Sequence, residues 1–379
     1  MREDARSRVE PFGSNVRRGT SMNTRYVPIN KGNYSMDTAE RQAEFDRKLG
    51  GAWPQGYAEY RRAWSENPTS ETVTDYPLLV DIELSSICNL KCPMCYTITQ
   101  AFKEHVNVKR MDWALIQKII DEIGGKVPAI RLSLRGEATL NKNFAECIRY
   151  AKAKGIKEVS TLTHGFKLTV PYFAEIAAAG IDWITISIDG VGETYERIRS
   201  PIGFEELLQK IRDIKRYKDE HGLDRPVIKV QGIWPAIKEN PQLYYETFAP
   251  LVDLVAFNPL IDYLGRDDET DIYYVDGFTC PQQYQRLVIG ADGLVMKCSN
   301  DEENREVIGD VKTQSVHEIW HGPQMQAVRD MQRRRNGFME SPVCRKCYLP
   351  RRTVDEETTI DGRKITVRNY VNRPQVIGK

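Results

Sequence analysis

Seven of the chain's eight cysteines fall into two sets whose spacing suggests metal chemistry. Cys88, Cys92 and Cys95 stand in C-x3-C-x2-C order in "SSICNLKCPMCY", directly after an apolar run. Cys280, Cys298, Cys344 and Cys347 lie late in the chain, the last two as "CRKC". Thiolates hold zinc and iron–sulfur clusters. A structural zinc needs four ligands close together, so three cysteines are one short. A cubane cluster on three thiolates instead leaves one iron open to a non-protein ligand, which is a catalytic arrangement. The later four suit one fully ligated cluster or one zinc. Cys147, inside the helical pattern "FAECIRYAKAKG", reads as a core thiol.

Composition narrows the setting for this chemistry. At 379 residues the chain is long enough to bury a substantial core. Lys and Arg number 54 against 53 Asp and Glu, and the resulting net charge of +1 gives no support to a nucleic-acid surface. No apolar run approaches the length needed to cross a bilayer, and "MREDARSRVEPFGS" lacks the apolar centre of a secretory signal. The expectation is a soluble cytoplasmic protein. Clustered cysteines in a reducing compartment fit metal binding better than a disulfide framework.

The elements that must carry these residues alternate. "LLVDIEL", "AIRLSLRGE", "EVSTLTHG", "WITISIDG", "VIKVQGIW" and "LVAFNPL" read as strands. Between them, "WALIQKIIDEIGG", "FAECIRYAKAKG", "VPYFAEIAAAG", "FEELLQKIRDIKRYKDEHG" and "PQLYYETFAPLV" read as helices. Such alternation implies a parallel sheet with helical crossovers, wound into a barrel or an open sheet. In these architectures ligands sit at the C-terminal strand ends. There the first five strands deliver Cys88, "RGEATL", "THG", "SIDG" and "QGIW" to one rim. Ahead of them, residues 1 to 30 read as a tail, with Met22 an alternative start, and "TAERQAEFDRKL" and "GYAEYRRAWSEN" as two short helices. After them, "CPQQYQRLVIGADGLVMKCSN" reads as a hairpin, and "SVHEIWHGPQMQAVRDMQ" as helix.

The cysteine triplet, "GEATL", "SIDG" and the six β/α units together resemble the radical S-adenosylmethionine (radical SAM) superfamily, over roughly residues 78 to 350. The resemblance implies a partial (β/α)6 TIM-like barrel, an α/β fold. It also implies a [4Fe-4S] cluster on Cys88, Cys92 and Cys95 whose open iron binds S-adenosyl-L-methionine, and a 5′-deoxyadenosyl radical that takes hydrogen from substrate. By motif, Gly136 and Glu137 match the segment that meets the methionyl amino group, with Arg135 and Ala138 as departures from it. Ser187 and Asp189 match the element that contacts ribose or carboxylate, and Met94 the apolar neighbour of adenine. The late cysteines resemble the SPASM/twitch extension, and four of them match the twitch pattern of aminocyclitol dehydrogenases with one auxiliary [4Fe-4S] cluster. The domains expected are 1–77, tail and short helices; 78–265, barrel; 266–350, auxiliary domain; and 351–379, a solvated tail or a returning strand. The activity implied is oxidation of an alcohol of a small carbohydrate or aminocyclitol, with flavodoxin or ferredoxin as reductant and the auxiliary cluster as electron acceptor. A peptide maturase and a redox-neutral sugar epimerase or dehydratase are the alternatives. Arg135, His164, Gln231, Trp234 and Asn258, near strand ends, are candidates to face the substrate.

Overall fold

The computed structural model describes residues 9–10, 25–29, 31, 34–260, 271–372 and 376–377. Most of the expected N-terminal tail, with Met22, and the boundary at 265/266 lie outside them. In chain order the first strands are β1 (Val9–Glu10) and β2 (Tyr34–Ser35), followed by β3 (Leu79–Ile82), β4 (Ala129–Arg131), β5 (Glu158–Thr163), β6 (Trp183–Ser187), β7 (Val227–Ile233) and β8 (Leu254–Asn258). Strands β3 to β8 are the six expected parallel strands. They pair consecutively, Leu79 against Ala129, Ser160 against Trp183, and Ser187 against Gln231.

The crossovers are amphipathic helices. Helix α4 (Trp113–Ile123) buries Ile116, Ile119, Ile120 and Ile123, one stripe at helical spacing, and α8 (Phe204–Glu220) does the same with Phe204, Leu207, Leu208, Ile211 and Ile214. Each such side chain contributes roughly 1.5–3 kcal/mol on leaving water. A short helix absent from the sequence expectation, α7 (Glu193–Arg199), follows β6. Among the described residues no helix is long and apolar enough to cross a membrane.

The two early helices have a structural task. Phe45 and Leu49 of α1 (Ala39–Gly50), with Tyr57, Tyr60 and Trp64 of α2 (Pro54–Ser70), pack on Leu79, Ala129, Val227 and Leu254. Those four residues begin β3, β4, β7 and β8, so the helices plug the N-terminal mouth of the barrel.

The auxiliary segment continues the same sheet. After β9 (Tyr274–Val275), strand β10 (Arg286–Ile289) lies parallel to β3 with Arg286 opposite Leu79. Strands β11 (Leu294–Met296) and β12 (Val307–Asp310) extend it antiparallel, giving a ten-stranded sheet in the order β12-β11-β10-β3-β4-β5-β6-β7-β8-β2. The expected long helix is two, α11 (Val316–His321) and α12 (Pro323–Arg333), because Gly322 and Pro323 interrupt it. Residues 351–379, expected either as a solvated tail or as a returning strand, contain a hairpin, β13 (Thr353–Ile360) and β14 (Arg363–Tyr370). Asp361 and Gly362 turn it with φ of +50° and +71°, the Asp-Gly preference of a tight hairpin. Ile360, Val367 and Tyr370 are its buried side chains, and Arg363 covers the Tyr245 ring.

Candidate active site

Cys88, Cys92 and Cys95 occupy the loop that leaves the C-terminal end of β3. Two groups reach their sulfurs: the Leu90 N–H points at Cys88 Sγ (3.4 Å) and Thr97 Oγ1 lies 3.1 Å from Cys95 Sγ. Burial pushes the Cys88 thiol up to about 11 and raises Cys92 as well, against the opposing pull of Arg199. Loading a metal on Cys88 and Cys92 therefore releases protons.

Gly136 and Glu137 clamp this loop from the end of β4. A Cβ on Gly136 would come within 2.5 Å of the Ile87 carbonyl oxygen, so only glycine lets the strands' ends meet so closely. The Glu137 N–H donates to Ile87 O at 2.9 Å. Its carboxylate is buried and accepts from Thr139 Oγ1 (2.6 Å), Thr163 Oγ1 (2.7 Å), the Thr139 N–H (3.3 Å) and the His164 N–H (3.0 Å). A methionyl amino group at this carboxylate would share oxygens already so engaged. His164 Nδ1 accepts from the Phe166 N–H, which leaves Nε2 to donate to Asn89 Oδ1 at 2.9 Å, one residue past Cys88.

At the end of β6, Asp189 Oδ2 accepts from Arg199 Nε (2.7 Å) and Nη2 (2.6 Å), and Oδ1 from the Ile233 N–H (3.0 Å). Arg199, on α7, is absent from the sequence candidates: it is a charge ten residues downstream with no motif of its own. Ser187 is half-buried beside Gln231, and Met94 is buried within the core that includes Leu90 and Cys92. Two substrate candidates are placed elsewhere. Arg135 is buried in an ion pair with Glu83, and Trp234 is buried against Phe257 with ring centroids 5.0 Å apart. Strand-end position, the sole ground for expecting them at the substrate, does not say which way a side chain turns.

Cys280, Cys298, Cys344 and Cys347 are all buried. Polar donors surround them: Lys297 Nζ lies 3.2 Å from Cys344 Sγ, Asn300 Nδ2 3.2 Å from Cys347 Sγ, and the Leu349 N–H 3.4 Å from the same sulfur. The Lys297 side chain has no exposed surface, and its ammonium also reaches Glu306 and Ser341. Buried cationic and N–H donors aimed at sulfur suit thiolates that carry a cluster's negative charge. Thiolates on one zinc would stand about 3.8 Å apart. Among the described residues, neither cysteine set brings three sulfurs within 4.8 Å of one another.

A cavity of about 590 Å³ lies among the barrel strands, the plug helices α1 and α2 and the auxiliary segment. Leu162, Thr185, Gln231 and Asn258 line it from the barrel; Gln282, Ser299 and Tyr348, each next to or near an auxiliary cysteine, line it from the other side. Gln231 and Asn258 are thus the two substrate candidates that face it. Arg131, Arg286, Glu158 and Lys229 add charge to its walls.

The family comparison agrees with this geometry. Residues 82–230 match the radical SAM superfamily and residues 280–348 the SPASM iron-sulfur cluster-binding domain. The chain is a radical SAM enzyme with a SPASM domain. The first domain implies a four-iron cluster with S-adenosylmethionine, and the second implies auxiliary iron–sulfur binding. The chain is similar to the tungsten-containing aldehyde ferredoxin oxidoreductase cofactor-modifying protein of Pyrococcus furiosus, 28% identical over 64% of this chain and 68% of that one. It is also similar to the pre-heme d1 synthase of Dinoroseobacter shibae, 32% identical over 37% of this chain but only 34% of that one. Its fold resembles BtrN solved with AdoMet and 2-DOIA, with a TM-score of 0.52 and 16% identity over 73% of this chain and 94% of that one.

Proposed function

We propose that this enzyme oxidises an alcohol of a small polar substrate, a carbohydrate or aminocyclitol, to a ketone, with the auxiliary centre accepting an electron. The observation that carries this reading is the shared cavity. Its walls come from the barrel strands and from the plug helices α1 and α2 on one side, and from the immediate neighbours of Cys280, Cys298 and Cys347 on the other. Gln231, Asn258, Thr185, Gln282 and Ser299 offer amide and hydroxyl groups suited to several hydroxyls at once. The bound cofactors supply a 5′-deoxyadenosyl radical that takes the carbinol hydrogen and, after the hydroxyl proton departs, an acceptor for the remaining electron. The chain's part is to hold the carbinol between the two centres and to keep water out, which the plug of α1 and α2 supports. A protein of similar fold, BtrN, has been solved with AdoMet and 2-DOIA.

The test is anaerobic reconstitution of the wild type and of Cys298→Ala/Cys347→Ala, with a panel of deuterated polyols and aminocyclitols. Deuterium in 5′-deoxyadenosine and ketone product are expected from the wild type, and S-adenosylmethionine cleavage without ketone from the variant. Equal ketone yield from both would remove the auxiliary centre as oxidant.

A further inference from the structure

A third group of ligating side chains lies apart from both cysteine sets. The sequence His-Glu-Ile-Trp-His forms α11, so His317 and His321 stand four residues apart on one face of a helical turn. Asp75, from the segment that leads into β3, meets them there. His317 Nε2 is 3.0 Å from Asp75 Oδ1, His321 Nε2 is 2.9 Å from the Asp75 carbonyl oxygen, and the imidazole centroids are 4.5 Å apart. One ligand atom from each of the three residues lies within 4.8 Å of the others.

The Asp75 backbone is held in place by more than these contacts. Trp320, fully buried on the same helix, donates its indole N–H to Thr74 O at 2.8 Å, and the Tyr76 ring packs on His317 at 5.2 Å. Main-chain and aromatic contacts therefore fix the approach of Asp75 to α11, and a bound ion would need only side-chain adjustment. Two imidazoles and one carboxylate are the donor set of borderline divalent ions such as zinc.

We propose that Asp75, His317 and His321 form a divalent transition-metal site that fastens the auxiliary domain to the entry of β3. The site binds and does not hydrolyse. Glu318, the residue that a His-Glu-x-x-His helix would use as general base, is spent in a capping box: its carboxylate accepts from the Ser315 N–H and hydroxyl at 2.8 and 2.9 Å.

The test uses the iron-loaded enzyme, washed with chelator, then equilibrated with zinc and desalted. Calorimetry is expected to show one saturable equivalent, and zinc-edge X-ray absorption to show only nitrogen and oxygen neighbours at about 2.0–2.2 Å. His317→Ala and Asp75→Ala are each expected to weaken binding at least tenfold with iron and sulfide content unchanged, which also reports that the variants fold. No saturable uptake, sulfur neighbours at about 2.3 Å from zinc seated on cysteines, or undiminished affinity in both variants, meaning an adventitious ion only, would overturn the site.

Discussion

Arg135 and Glu83 face each other across the ends of β4 and β3, Nε to Oε1 at 2.7 Å and Nη2 to Oε2 at 2.5 Å, with side chains 1% and 0% exposed. The pair is also a bracket between domains. Arg135 Nη1 reaches Asn304 Oδ1 (2.7 Å) and Glu302 O (3.2 Å), and Glu83 Oε2 accepts from the Ala291 N–H (3.0 Å). Removing one member leaves a buried charge without its partner, which costs about 3–5 kcal/mol, whereas removing both with matched apolar volume costs much less. Glu83→Gln is therefore expected to lower the thermal midpoint by several degrees, and Glu83→Leu/Arg135→Met to recover most of it in a melting experiment on the cluster-loaded enzyme.

Gly136 supplies a local test of the cysteine loop. Gly136→Ala drives a methyl group into the Ile87 carbonyl, so the backbone carrying Cys88 must shift. The auxiliary cysteines are far along the chain and keep their surroundings. Iron analysis after anaerobic reconstitution is expected to fall from about eight to about four per chain, with no S-adenosylmethionine cleavage.

Lys297 bears on the auxiliary centre's reduction potential. A buried ammonium that donates to Cys344 Sγ stabilises the more negative, reduced state. Lys297→Met is expected to lower the auxiliary potential by on the order of 100 mV, the one-electron equivalent of roughly 2 kcal/mol from a charged hydrogen bond. Potentiometry followed by electron paramagnetic resonance, in a background of Cys88→Ala/Cys92→Ala/Cys95→Ala, isolates that centre. An unchanged potential would make the lysine merely structural.

Glu158, on the cavity wall near the barrel's plugged end, gives the fold a pH dependence. Burial, and secondarily Asp182, raise its carboxyl from the usual value to about 7. The folded chain holds that proton after the unfolded chain has lost it, so the stability the protonated group provides is complete below about 4.5 and declines as pH rises through about 7. Glu158→Gln removes the decline. Urea titrations should show the variant more stable than wild type at pH 8, by up to about 3 kcal/mol, and nearly equal to it at pH 4.

The strand–helix alternation is legible because each element repeats its apolar residues at its own period, as in the isoleucine stripe of α4. The C-terminal hairpin is not: its strands are largely polar and exposed, so they carry little apolar pattern, and only Asp361-Gly362 marks the turn. Helix α7 escapes for a similar reason, since its seven residues span barely two turns.

What the sequence by itself determined was the chemistry on offer: three cysteines in C-x3-C-x2-C spacing, four more late in the chain that end in a C-x2-C pair, and glycine ahead of Glu137. Such spacings are local and set by the covalent chain. Only the tertiary structure decided that β10 pairs with β3 and not with another edge, and that Arg135 serves Glu83 and Asn304, the latter 169 residues away. It also decided that Arg199 belongs to Asp189 and that Lys297 belongs to Cys344. These partnerships depend on which strand edge accepts a new strand and which buried charge finds its complement. Both are settled when separate stretches of chain pack together, and neither leaves a period in the sequence.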